Sequence, residues 1–174
     1  MKRFKCIILI VLMVFPAFAA TRAESPAKKK LPPVTIRDAS NEPIELPYLG
    51  EKVLMIFYVD PDHANQNKEF RENLEKNQID SENIYGFGVV NLKDAPMLPN
   101  AIVRAMVRKN SNRTGAAIYT DPGYLLRDAW DLGDCNDKFV LMIVNKEREL
   151  EFISKGEMSQ QQIDEFYRVI DKYK

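Results

Sequence analysis

The stretch Lys52-Val-Leu-Met-Ile-Phe-Tyr-Val-Asp-Pro-Asp-His-Ala-Asn-Gln-Asn67 decides the fold. Its first half, Val53–Val59, is a run of aliphatic and aromatic residues with no polar alternation. Such a run reads as a strand buried on both faces. Its second half is an abrupt polar turn followed by a charged helical segment. In an open α/β sheet, ligands and chemistry collect just beyond the carboxyl ends of buried strands. Asp60, Asp62, His63 and Asn65 are therefore the candidate ligand-binding residues. This turn offers two carboxylates and the only histidine of the chain, but no thiol.

Toward the N-terminus, Pro47–Glu51 reads as a loop. Val34–Arg37 and Pro43–Leu46 read as short strands joined by a turn at Asp38–Asn41. Thr21–Pro33, with Lys28-Lys29-Lys30 and Pro32-Pro33, reads as a flexible leader over 20–33. The first residues have the form of a secretory signal over 1–19. Lys2, Arg3 and Lys5 are its basic region, Cys6–Phe15 its apolar region, and Ala17-Phe18-Ala19 a small-x-small cleavage site. A second site follows Ala23. The apolar region is too short to span a bilayer comfortably, and stable membrane insertion after cleavage is not expected. The reading implies export to the periplasm.

The 174 residues suffice for one domain with its own core, placed at 34–174. Cleavage after Ala19 removes three basic residues and leaves 22 Lys and Arg against 25 Asp and Glu, a net charge of −3. Such a balance argues against nucleic acid as the main partner. Cys135 is then the lone cysteine, so no internal disulfide can form.

Toward the C-terminus, helical spacing predicts a first helix over about Asn65–Asn77, with Asn65 as N-cap and Phe70 and Leu74 on its buried face. Another β run lies in Asn83–Leu92. A second helix is expected over Asn100–Lys109, with Ile102, Val103, Met106 and Val107 as its apolar stripe and Asn110–Thr114 breaking it. Ala116–Thr120 reads as a strand, Asp121-Pro122-Gly123 as a turn, and Phe139–Val144 as the second continuous apolar strand. Glu149–Ser154 is its antiparallel hairpin partner, ended by Gly156. Ser159-x-x-Gln162 is a capping box. It opens a last helix running to about Lys172, with Ile163, Phe166, Tyr167 and Ile170 at i, i+3, i+4 and i+7. The order β-β-β-α-β-α-β-β-β-α predicts an α/β fold: a thioredoxin-like three-layer α/β/α sandwich with a mixed central sheet.

On that frame, Phe87–Asn91 with Ala95, the segment Asn100–Asn110, Asp128-Ala129-Trp130-Asp131-Leu132, and Val140 through Asn145-Lys146-Glu147 to Lys155-Gly156 resemble the YtfJ family. Its members are bacterial periplasmic proteins of thioredoxin-like fold. The resemblance covers most of Val53–Tyr173 and is strongest in the C-terminal half. Asn145 departs from the Asp common in such hairpins, Glu147-Arg148-Glu149 lacks the turn glycine, and Pro43–Gly50 matches poorly. The resemblance implies fold and compartment, and no activity.

Dithiol exchange needs an attacking thiol at a helix N-terminus and a resolving thiol nearby. Asp62-His63-Ala64-Asn65 stands where thioredoxin-like enzymes carry that pair. No proline follows Pro122, so the cis-proline that faces the pair in those enzymes is also missing; its place is expected near Val140. Asp134 and Asp137 flank Cys135, and neighbouring negative charge raises a thiol pKa, so Cys135 reads as bland rather than as a redox sensor. The turn is no EF-hand, because its sixth place is Asn65 and its twelfth Arg71. Nor is there a nucleophile elbow or phosphate-cradling loop. Gly86 and Gly88 lie inside a strand, where close backbone approach is expected. Arg104, Arg108, Lys109 and Arg113 read as a solvated helix face, and Trp130 as core. The sequence thus predicts a non-redox binding or scaffold domain with no cofactor and no metal. Its partner would be an unknown periplasmic protein or small ligand. The alternatives are a thiol-independent enzyme or a metal or ligand site at the Asp60–Asn65 loop, and redox sensing through Cys135.

Overall fold

The computed structural model describes residues 30–63, 65–79, 81–94 and 99–174. The signal segment, most of the leader, Ala64 and Ala95 lie outside these residues. Two short strands, β1 (Thr35–Arg37) and β2 (Pro43–Glu45), precede the decisive run, which is β3 (Val53–Val59). There follow α1 (Lys68–Lys76), β4 (Ile84–Asn91), α2 (Asn100–Thr114), β5 (Ala117–Asp121), α3 (Leu125–Ala129), β6 (Phe139–Val144), β7 (Leu150–Lys155) and α4 (Gln160–Ile170). The strands form one mixed sheet in the order β2-β1-β5-β4-β3-β6-β7. β3, β4 and β5 are mutually parallel, while β6 runs antiparallel to β3, and β7 to β6.

Side chains of a strand alternate between faces, and here both faces are covered. Leu54, Ile56 and Tyr58 of β3 join Phe87, Val89, Val140 and Met142 in a core closed by Leu126 of α3 and Trp130. On the opposite face, Val53 joins Phe139, Leu141 and Ile143 beneath Phe70 and Leu74 of α1 and Phe166, Val169 and Ile170 of α4. Every residue of β6 is buried, as its continuous apolar run requires. The result is the three-layer arrangement expected from the element order.

Four local expectations give way to tertiary structure. The first helix begins at Lys68, not near Asn65, because Pro61–His63 form a turn of 3-10 helix. Asn67, not Asn65, takes the N-cap position, with φ 54°. Its amide donates to Gly156 O at 2.8 Å and accepts from Met158 N at 2.8 Å, tying α1 to the β7–α4 loop. The second helix does not break at Asn110. Asn, Ser and Thr cost only tenths of a kcal/mol each in a helix, and Thr114 Oγ1 donates to Asn110 O at 3.0 Å. Gly115, at φ 73°, ends it instead, since glycine enters the left-handed region without a Cβ clash. The apolar stripe of that helix is split: Val103 and Val107 are buried, whereas Ile102 and Met106 are exposed. At the end of the expected leader, Leu31 is buried and donates its N–H to Arg148 O at 2.8 Å. Arg148 itself, at φ 64°, supplies the left-handed turn position for which the hairpin has no glycine. Among the glycines inside β4, only Gly86 has a neighbour that a Cβ would meet closely, the Met55 side chain at 2.8 Å.

Candidate functional site

Each of the three parallel strands ends on a short polar side chain that turns the chain. Asp60 Oδ1 accepts from Asp62 N at 2.8 Å, Asn91 Oδ1 from Lys93 N at 3.0 Å, and Asp121 Oδ1 from Gly123 N at 3.0 Å. All three residues are buried. A side chain accepting from the N–H two residues on closes a turn locally, so the carboxyl edge of the sheet is built from Asx turns. Asp121 also accepts from Leu125 N and Leu126 N, each at 2.9 Å, and so anchors the start of α3.

The Asp60 turn is further joined to the segment entering β6. Val59 pairs with Phe139, so Asp137 and Lys138 lie across from Asp60. Asp60 Oδ2 accepts from Asp137 N at 2.8 Å. Gln66 clamps the same junction: its amide donates to Asp137 O at 3.0 Å and accepts from Phe139 N at 2.7 Å. The Asp60 carboxylate is 2% exposed, and backbone N–H groups hold both of its oxygens.

His63 turns its ring back over this junction. Its Nδ1 lies 3.6 Å from Asp60 Oδ2 and 3.5 Å from Asp137 Oδ1. Those separations are within ion-pair range, but Nδ1 makes no hydrogen bond although the atom is buried. The rest of the ring is reachable, with 38% of the His63 side chain exposed. Among the described residues, Asp60, His63 and Asp137 bring three potential ligand atoms within 4.8 Å of one another.

Of the four candidates read from the sequence, two reach this cluster. Asp60 forms its base and His63 its side. Asp62 contributes a backbone N–H to Asp60, and its residue is exposed. Asn65 is exposed as well. Asp137 was missed because it is remote in sequence and was read only as a neighbour of Cys135. The available signal was the pairing of the two apolar strands, which places the entry to β6 against the exit from β3. That register also moves the residues facing the turn from the expected Val140 to Asp137 and Lys138, and no peptide bond among the described residues is cis.

Cys135 is buried, with 1% exposure. Its thiol pKa is raised as expected, but mainly by burial; Asp134 adds to the effect, whereas Lys155, Arg127 and Lys138 oppose it. Two basic side chains of α2 reach partners within the domain: Arg108 donates to Ala39 O at 3.2 Å, and Arg113 pairs with Glu75 at 3.6 Å. Trp130 is core, its indole N–H donating to Pro32 O at 2.9 Å.

A family model described as a bacterial protein of unknown function, YtfJ_HI0045, matches residues 49–173. No curated protein matches the chain. Among solved structures, the chain is similar to a candidate thioredoxin from Neisseria meningitidis, with a TM-score of 0.60 and 18% identity over 84% of this chain and 90% of that one. It is also similar to the exposed lipoprotein thioredoxin Etrx1 of Streptococcus pneumoniae, with a TM-score of 0.58 and 11% identity over 79% of this chain and 99% of that one. A peroxiredoxin-like protein from Aquifex aeolicus matches with a TM-score of 0.56 and 9% identity over 82% of this chain and 85% of that one. At these identities the likeness shows a shared thioredoxin-like fold. No helix among the described residues is long and apolar enough to cross a membrane.

Proposed function

The chain belongs to the YtfJ family of bacterial proteins of unknown function, and from that premise we propose that it is an exported, non-redox thioredoxin-like domain that binds a ligand at the end of β3. One observation carries the reading. The junction between the exit of β3 and the entry of β6 is fully built, yet its side chains are Asp60, His63 and Asp137. Thiol exchange requires an accessible, activated thiolate. Cys135 is buried, and burial disfavours its thiolate. The site therefore has carboxylate and imidazole chemistry in place of sulfur chemistry, with His63 and Asp137 accessible from solvent.

Export rests on the form of residues 1–19, a basic start, an apolar stretch and Ala17-Phe18-Ala19. The mass of the processed chain should place its first residue at Ala20, or at Glu24 if the second site is used. An unprocessed chain in the cytoplasmic fraction would remove the export part of the proposal.

The redox part is tested by incubating the protein with a disulfide substrate plus reductant, and separately with peroxide. The expected result is no turnover above buffer and no difference between wild type and Cys135→Ser. Multiple turnovers per chain, lost in Cys135→Ser, would overturn it. Photo-crosslinkers placed at Asp62 and Asn65, both exposed beside the cluster, would reveal a protein partner in the periplasm if the occupant is a macromolecule.

A further inference from the structure

We propose that Asp60, His63 and Asp137 form a binding site for one divalent transition-metal cation, with zinc the best match. The inference deepens the reading above by naming the class of ligand held at the end of β3.

Two of the three donor separations are close to coordination spacing, and all three donor atoms lie within 4.8 Å of one another. Zinc bonds to imidazole nitrogen and carboxylate oxygen are about 2.0–2.1 Å, which places the donors of a tetrahedron about 3.3–3.4 Å apart. His63 Nδ1 stands 3.6 Å from Asp60 Oδ2 and 3.5 Å from Asp137 Oδ1. Those gaps are long for a hydrogen bond and need only small shifts to close on an ion.

The polar accounting points the same way. Buried polar atoms are nearly always satisfied, and an exception calls for a partner. His63 Nδ1 is such an exception, a buried nitrogen without a hydrogen bond, turned toward two carboxylate oxygens. A cation between the three groups would give this nitrogen a partner and offset the charge of two carboxylates.

The supporting contacts are also those of a metal site, whose outer partners orient the ligands. Asp62 N and Asp137 N fix both oxygens of Asp60. Gln66 fixes the backbone on either side of Lys138 through Asp137 O and Phe139 N. One nitrogen with two oxygen donors suits zinc or a neighbouring first-row ion better than calcium or magnesium, which prefer all-oxygen sets. Three protein donors leave a coordination position open to water or a further ligand.

The test is titration of the protein, expressed from the whole sequence in a bacterial host and freed of metal, with zinc chloride, followed by calorimetry. Cobalt(II) absorption provides a second readout of tetrahedral geometry. The expected result is one equivalent bound per chain. Loss of an outer-sphere partner alone costs about 10–100-fold in affinity, so removal of a ligand in His63→Gln or Asp137→Asn should cost at least about 100-fold. Both side chains are substantially exposed, so these variants should fold as the wild type does. No saturable uptake, or uptake equally tight in both variants, would overturn the proposal. The non-redox reading stands or falls separately, on the thiol and peroxide assays.

Discussion

Asp60 does two jobs that can be separated by mutation. As a buried acceptor it holds two backbone N–H groups. Removing it strands both donors, and hydrogen bonds to charged groups are worth about 1.5–3 kcal/mol each. Asp60→Ala is therefore expected to lower unfolding free energy by about 3–6 kcal/mol in urea. With both proteins freed of metal, His63→Gln should change stability by no more than about 0.5 kcal/mol, the usual range for surface positions. Equal losses in the two variants would contradict this division. Cys135 gives a second residue-scale prediction. Burial holds its thiol above the ordinary value of 9.0, so the unfolded chain gives up this proton first. The stabilising contribution is complete below the unfolded pKa and is lost as pH rises through the folded one. Wild type should therefore lose stability in alkaline solution more steeply than Cys135→Ala, with the two curves parallel at neutral pH. The chemistry of Asp60 and His63 was legible from residue type and position at a strand end. Asp137 was not, because no local pattern announces a contact made only when β6 returns beside β3.

Among the elements, α1 shows why local propensity misplaces boundaries. Asn65 is a sound N-cap by residue type, but Asn67 wins because its side chain bridges to Gly156 and Met158. Asn67→Ala removes both bonds and places a Cβ-bearing residue at φ 54°, where only Gly, Asn and Asp are readily tolerated. The expected cost is about 2–3 kcal/mol, each neutral hydrogen bond contributing about 0.5–1.5 kcal/mol. Asn67→Gly should recover the backbone part and leave the bridging loss. If Ala and Gly are equally destabilising, the left-handed conformation contributes nothing. At α4 the reading was purely local and correct. Ser159 and Gln162 close a capping box, and Ser159→Ala should cost about 1 kcal/mol. The end of α2 lay between these cases. Asn110–Thr114 contains weak helix formers, yet Gly115 is the stronger stop.

For the whole molecule, the order of elements was readable because β3 and β6 are continuous apolar runs, and such runs belong to the middle of a covered sheet. The sequence order of strands could not by itself put β1 and β2 at the far edge beside β5, since that placement is made by long-range pairing. The same topology juxtaposes the ends of β3 and β6, and in thioredoxin-like enzymes that juxtaposition serves thiol exchange. Here it gathers Asp60, His63 and Asp137 instead. The most direct measurement is a native mass spectrum of the protein purified from bacterial cells without chelator. The expected mass is that of the polypeptide plus one divalent metal ion, reduced to the polypeptide alone in Asp137→Asn. A bare wild-type chain, or the same added mass in the variant, would contradict it.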